Sequence, residues 1–288
     1  MGAGVRQSLN WDGIKWLQIL IPPLDEQQRI AAFLDGECAR IDSVVEKTRA
    51  SIEEYRKLKQ AIITRAVTKG IRPNRPTKDS GIDWLGDIPA DWELSKIKHN
   101  FTVYSGATPK SEFAANWDGN IIWITPADYK TTDRYVSQGK RNISATGYNS
   151  CGTTLVPKGS IIFSKRAPIG TVAIAAVELC TNQGCLSCVP KADTDSGYYC
   201  YVMSAFTEQF NLYGTGTTFK EISYDVFCAF KVPRPPLDEQ QEIADYLDEK
   251  TAAIDSLVAK KNRLVSELAS LKKSLIFEYV TGKKEVPT

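Results

Sequence analysis

At 288 residues, with 42% hydrophobic and 24% charged side chains and a net charge of +2, the chain has a globular composition with room for one or two domains. No run of about 18 apolar residues is present, which excludes an ordinary membrane-spanning helix, and the N-terminus lacks a secretory pattern, so a cytoplasmic protein is expected. A strongly basic body is also excluded, since residues 80–233 hold 13 basic and 14 acidic side chains and residues 22–79 hold 12 and 9.

The chain opens with Gly2-Ala3-Gly4, then Leu9-Asn10-Trp11-Asp12. The same texture returns later as Gly214-Thr215-Gly216, then Ile222-Ser223-Tyr224-Asp225. Residues 1–21 therefore read as the C-terminal remnant of a first globular domain.

Residues 22–70 predict one long helix. Pro22-Pro23-Leu24-Asp25-Glu26-Gln27-Gln28 begins it, and the same seven letters recur as Pro235-Pro236-Leu237-Asp238-Glu239-Gln240-Gln241. The copies stay in register for 48 positions, of which 23 are identical. Such widely separated copies are not a solenoid, whose units run roughly 20–50 residues; they bracket an unrelated module. Asp25 with Gln28, and Asp238 with Gln241, are expected to form capping boxes, and the prolines stop each helix from extending backwards.

Beyond the caps, apolar residues recur at three- and four-residue steps. The first copy has Ile30, Leu34, Ile41, Val45, Ile52, Tyr55, Ile62 and Ala66. The second has Ile243, Leu247, Ile254, Val258, Val265, Leu268, Leu275 and Tyr279. Charged residues fill the other faces, as in a helix seeking one partner helix. About 43 residues at 1.5 Å rise would span roughly 65 Å. Thr48, Lys59, Lys261 and Lys272 interrupt the seam and are expected to fix register.

Residues 71–83 form a stiff polar linker containing Pro73 and Pro76. Residues 84–233 change to short strand-like runs at 121–125, 159–164, 170–176 and 186–189, with one helix near 198–213. Residues 234–288 supply the matching helix and a tail. The expected fold class is α+β: one mixed domain flanked by two long helices forming an antiparallel coiled coil.

Seven cysteines lie at positions 38, 151, 180, 185, 188, 200 and 228. Cys185-Leu186-Ser187-Cys188 has a C-x-x-C spacing, but no second pair follows and the one histidine, His99, is remote. Buried reduced thiols are expected, with no metal or cofactor. Catalytic signatures are lacking too. There is no G-x-x-x-x-G-K-[ST] loop, and a single histidine leaves little for triad chemistry.

Several segments resemble the DNA-specificity subunits of type I restriction–modification systems. They are Trp84-Leu85-Gly86-Asp87-Ile88-Pro89, Ser105-Gly106-Ala107-Thr108-Pro109, Trp123-Ile124, Val156-Pro157-Lys158-Gly159, Arg166-Ala167-Pro168-Ile169-Gly170 and Thr181-Asn182-Gln183-Gly184, together with the helix-opening heptapeptide. The resemblance covers nearly the whole chain, and corresponds to the C-terminal half of such a subunit. It implies a non-catalytic subunit that reads one half of a bipartite site on double-stranded DNA. Methyltransferase subunits would dock on its helices, and the restriction–translocase subunit would be reached indirectly. Two chains pairing head to tail as a homodimer would give a symmetric target.

On this reading the expected DNA contacts are donor-rich loop groups: Thr108 and Lys110; Lys165 and Arg166; Asn182 and Gln183; and Thr217, Phe219 and Lys220. For each residue, an ordinary turn-stabilising or solvated role competes. Arg134, Lys140 and Arg141 are expected at phosphate, and Tyr129, Tyr135 and Trp117 in the core rather than stacked on bases. Two other readings compete: a coiled-coil scaffold that binds protein through its α+β domain, and a carbohydrate- or peptide-binding module. The second leaves the repeated helices without a purpose.

Overall fold

The computed structural model describes residues 15, 16, 19–216 and 220–287. The expected remnant at residues 1–21 lies largely outside the described residues, as do Thr217 and Phe219. The elements run α1 (Leu24–Lys69), β1 (Thr77–Asp79), β2 (Asp87–Pro89), β3 (Glu93–Lys96), α2 (Ile97–Asn100), β4 (Phe101–Ser105), β5 (Trp117–Ile121), β6 (Trp123–Ile124) and β7 (Tyr135–Val136). They continue with α3 (Ala145–Asn149), β8 (Ile161–Ser164), β9 (Val172–Ala175), β10 (Cys180–Thr181), β11 (Cys185–Pro190), α4 (Ser196–Ala205), α5 (Thr207–Leu212), α6 (Tyr224–Ala229), β12 (Lys231–Arg234) and α7 (Leu237–Val280). Two compact units result: Lys57–Ala253, and Met1–Arg56 with Ile254–Thr288. Among the described residues, no helix is long and apolar enough to cross a membrane.

The unit Lys57–Ala253 is built on a five-stranded sheet ordered β4-β11-β8-β9-β7. β11 lies antiparallel between β4 and β8, β8 pairs antiparallel with β9, and β7 adds in parallel at the edge. Both faces are covered, which is why Ile161-Ile162-Phe163 and Val172-Ala173-Ile174-Ala175 are apolar at every position rather than at alternate ones. Ile161, Phe163, Val172, Ile174 and Leu186 enter one core with α4, α5 and α6. The intervening Ile162, Ala173 and Ala175 enter a second core with Ile124, Tyr129 and Leu179. Within this unit the end of α1 contributes Ile63, Ala66 and Val67 to the first core, and the start of α7 contributes Ile243 and Leu247. Of these, Ile63, Val67, Ile243 and Leu247 each stabilise by roughly 1.5–3 kcal/mol when buried.

The C-x-x-C pair falls on β11, where positions three apart point to opposite faces. Cys188 accordingly lies in the first core and Cys185 in the second. The two sulfurs therefore face away from each other.

In the other unit the helices pair directly. Phe33 meets Tyr279 at 4.7 Å between ring centroids, Asp42 accepts from Lys272 at 2.6 Å, and Lys261 lies over Tyr55 at 5.6 Å. Partner numbers fall as the first numbers rise, so the pairing is antiparallel. The seam expected from spacing is buried at Leu34, Ile41, Ile52, Ile254 and Tyr279. Its polar interruptions are accommodated: Thr48 is buried and donates to the Val44 carbonyl at 2.7 Å, while Lys272 and Lys261 reach Asp42 and Tyr55.

Two local expectations are corrected. The Pro23 and Pro236 carbonyls accept the first helical bonds, from the amides of Gln27 and Gln240 at 3.0 Å, so both helices start before the aspartate. Asp25 and Asp238 therefore sit in the first turn, where their negative charge interacts favourably with the positive end of the helix dipole. The glutamine that reaches back is the earlier one of each pair: Gln27 donates to Pro22 at 2.7 Å and Gln240 to Pro235 at 2.9 Å. The single helix expected at 198–213 is also broken at Phe206. There the Thr207 hydroxyl donates to the Ser204 carbonyl at 2.9 Å, competing with the backbone ladder.

α1 ends at Gly70, whose φ of +73° suits glycine and whose amide donates to Ala66 at 3.0 Å. A Cβ at Gly70 would come within 2.8 Å of Arg75 Nη1 and 3.2 Å of the Trp92 ring. That closeness lets Arg75 meet Glu239 near the start of α7. Glu239 is 1% exposed and takes hydrogen bonds from Arg75 and from Trp92 Nε1, the latter at 2.9 Å, while Arg75 also holds Asp91 at 2.6 Å.

Candidate nucleic-acid interface

The described members of the four expected donor groups meet at one end of the sheet, on loops tied to one another by backbone bonds. β4 leads into Ser105 and Gly106. The Ala107 amide donates to Thr181 at 3.0 Å, and a Cβ on Gly106 would stand 2.2 Å from the Asn182 carbonyl. Glycine is required by that close approach. It brings Thr108 to Gln183, whose side-chain oxygen accepts from the Thr108 hydroxyl.

The Lys165 amide donates to Gly184 at 3.0 Å, which joins the loop after β8 to the turn before β11. The Ile222 amide donates to Lys165 at 3.0 Å and the Ala167 amide to Lys220 at 3.2 Å, which brings in the segment before α6. Arg166 and Glu221 face each other in an antiparallel bridge, and a second bridge joins Glu221 to Thr215. The Ala167–Pro168 peptide is cis.

The side chains divide into two kinds. Lys110, Gln183, Thr108 and Lys220 are exposed. Asn182 is half-buried, and its side-chain oxygen accepts from the Gly184 amide at 2.9 Å, so it shapes the turn that presents Gln183. Lys110 lies 5.8 Å from the Phe113 ring centroid. Lys165 is only 12% exposed and gives its ammonium to Glu221 at 2.8 Å. Arg166 is 44% exposed and donates from Nε to the other Glu221 oxygen at 2.7 Å.

Glu221 is the residue that sequence reasoning missed. Burial acts to raise its pKa, but hydrogen bonds and charge from Lys165 and Arg166 outweigh this and hold the carboxyl below its ordinary range. No local pattern could have exposed it, because its partners lie some 55 positions away.

The residues expected at phosphate sit differently. Arg134 donates to Gly197 at 3.3 Å, pairs with Asp248 at 3.0 Å and lies 4.2 Å over Tyr201. Arg141 pairs with Asp118 at 3.1 Å and covers Trp117 at 4.3 Å, and Lys140 is exposed. Tyr129 and Trp117 are buried, as expected, whereas Tyr135 is 59% exposed. None of these shares a hydrogen bond or ion pair with the four joined loops among the described residues.

The family model for the type I restriction modification DNA specificity domain matches residues 89–266, well over half of the chain. The chain belongs to that family. It is 35% identical over 208 residues to the type I restriction enzyme MjaIX specificity subunit of Methanocaldococcus jannaschii, which covers 70% of this chain and 47% of that protein. It is 29% identical over 286 residues to the putative MjaX specificity subunit of the same organism, covering 98% of the chain and 63% of the relative. The chain thus spans about half to under two-thirds of these relatives' own lengths.

Two solved structures share the fold. HsdS from Thermoanaerobacter tengcongensis superposes with a TM-score of 0.58 at 18% identity, covering 99% of this chain and 65% of that one. A chain from a study of assembly and conformational transition in the type I R-M system gives 0.74 at 19% identity, covering 92% and 61%.

Proposed function

We propose that this specificity-family chain is a DNA-recognition subunit that reads one half of a bipartite duplex target and carries no catalysis of its own. The observation that supports this best is the joining of four donor-bearing loops at one end of a rigid sheet. Rigid elements hold recognition side chains better than free loops do, and base edges are discriminated by such donors. The likeness to specificity subunits supports the same reading.

Boundaries for the functional parts follow the sequence reading: residues 22–70 and 234–288 as conserved helices, 71–83 as linker and 84–233 as the recognition domain. Methyltransferase subunits are the expected helix partners. Leu257, Leu264 and Leu271 recur at seven-residue spacing on α7 and are 41%, 42% and 47% exposed, so they supply an apolar line suited to docking. The restriction–translocase subunit would be engaged through that complex. Self-association into a homodimer would supply the second half-site.

A gel shift with labelled random-sequence duplexes, run with cognate methyltransferase subunits, tests the reading. Retention at low salt that weakens steeply as salt rises is expected. No retention at any salt, with methyltransferase still bound, would leave a protein–protein scaffold as the function.

A further inference from the structure

Resting on that reading, we infer that Arg166 reads a guanine through its terminal guanidinium nitrogens, and that Glu221 is the positioning residue that aims it. The Glu221 carboxylate occupies Nε of Arg166, and among the described residues no acceptor meets the Nη1–Nη2 edge. Arg166 therefore keeps a flat, two-donor edge on a side chain that is 44% exposed.

A pair of parallel donors demands two adjacent acceptors. In the major groove only guanine offers that pair on one base edge, as O6 and N7; adenine and cytosine each present a donor there, and thymine pairs one acceptor with a methyl group. Phosphate would also accept from a guanidinium, but the surroundings disfavour it. Glu221 neutralises one of the two cations beside it, leaving the Lys165–Arg166–Glu221 group with a single net positive charge. A site built for phosphate gains nothing from such a carboxylate, whereas a base reader gains a fixed plane.

The backbone supports the aim. Arg166 and Glu221 are bridged directly, with the Ile222–Lys165 and Ala167–Lys220 bonds on either side and the Lys165–Gly184 bond behind. Lys165, largely buried, occupies the second Glu221 oxygen and stops the carboxylate from turning away. The Glu221 carboxylate is thus held through both oxygens, and it holds Arg166 through Nε.

The test uses the full chain with cognate methyltransferase subunits. Selection from a random duplex pool defines the bound sequence, and 7-deazaguanine is then placed at each selected guanine to remove N7. We expect one guanine at which Arg166→Ala abolishes the preference and at which the analogue weakens the wild type about tenfold but the variant less than twofold. Glu221→Gln should relax preference at that same position while leaving the other positions and the slope of affinity against salt unchanged. A merely structural glutamate would weaken all positions together. Selection of a defined sequence by the wild type with every preference retained in Arg166→Ala overturns the guanine assignment alone. Selection of no sequence by the wild type overturns the recognition reading itself.

Discussion

The same heptapeptide opens both long helices, yet its two copies live in different surroundings. In each, the last glutamine, Gln28 or Gln241, is not what matters; it is Gln27 and Gln240 that fold back onto the carbonyls of Pro22 and Pro235. That contact is local and is written in the seven letters themselves. The neighbouring glutamates diverge: Glu239 is buried against Trp92 and Arg75, whereas Glu26 is half-buried with no hydrogen-bond partner among the described residues. Gln240 is likewise buried, donating to Asp193 at 3.1 Å and accepting from the Asp195 amide at 2.9 Å, while Gln27 is exposed. An identical sequence therefore sets the helix start, and the domain around the second copy sets how much its side chains matter.

The largest effect should separate the glutamates. Glu239→Ala leaves Arg75 and the Trp92 N–H without their buried acceptor and should cost about 3 kcal/mol, read from urea unfolding of the unit Lys57–Ala253. Glu26→Ala should cost less than about 0.5 kcal/mol. Equal costs would break the comparison. Next come the glutamines. Gln240→Ala removes a fully buried side chain and strips partners from the Asp193 carbonyl and the Asp195 amide, and should cost about 1–2 kcal/mol, against a few tenths for Gln27→Ala.

Thiol chemistry sharpens the same contrast between a helix surface and a built interior. Burial raises the Cys180 thiol to about 11 and the Cys185 thiol to about 12. At neutral pH both stay protonated and sheltered, so iodoacetamide should label the half-buried Cys38 and Cys151 first. Early modification of Cys185 would contradict the packed second core.

The helices were largely legible, because a 3.6-residue period with charged outer faces survives any tertiary context. Leu34, Ile41, Ile52 and Tyr279 mark the seam by their spacing alone, and all four are buried. What spacing concealed was the choice between adjacent glutamines, which depends on where the proline carbonyls begin the helix. Domain strands were legible as short apolar runs, but not their order, since β4 and β11 pair across some 85 positions. In the candidate site, loop chemistry pointed to Lys165, Arg166 and Gln183, while the carboxylate that organises two of them was invisible. Lys165 also proved to be a packed residue, so Arg166→Ala is a cleaner probe of binding than replacement of both.

Under the proposed function, the joined loops at the end of the sheet are what touches DNA. Replacing Gln183, and separately Tyr135, with the photocrosslinking residue p-benzoylphenylalanine tests it most directly, in the complex with methyltransferase and a bound duplex. Both positions are exposed, but only Gln183 belongs to those loops. Irradiation should couple duplex to position 183 and not to position 135; coupling at 135 with none at 183 would contradict the account.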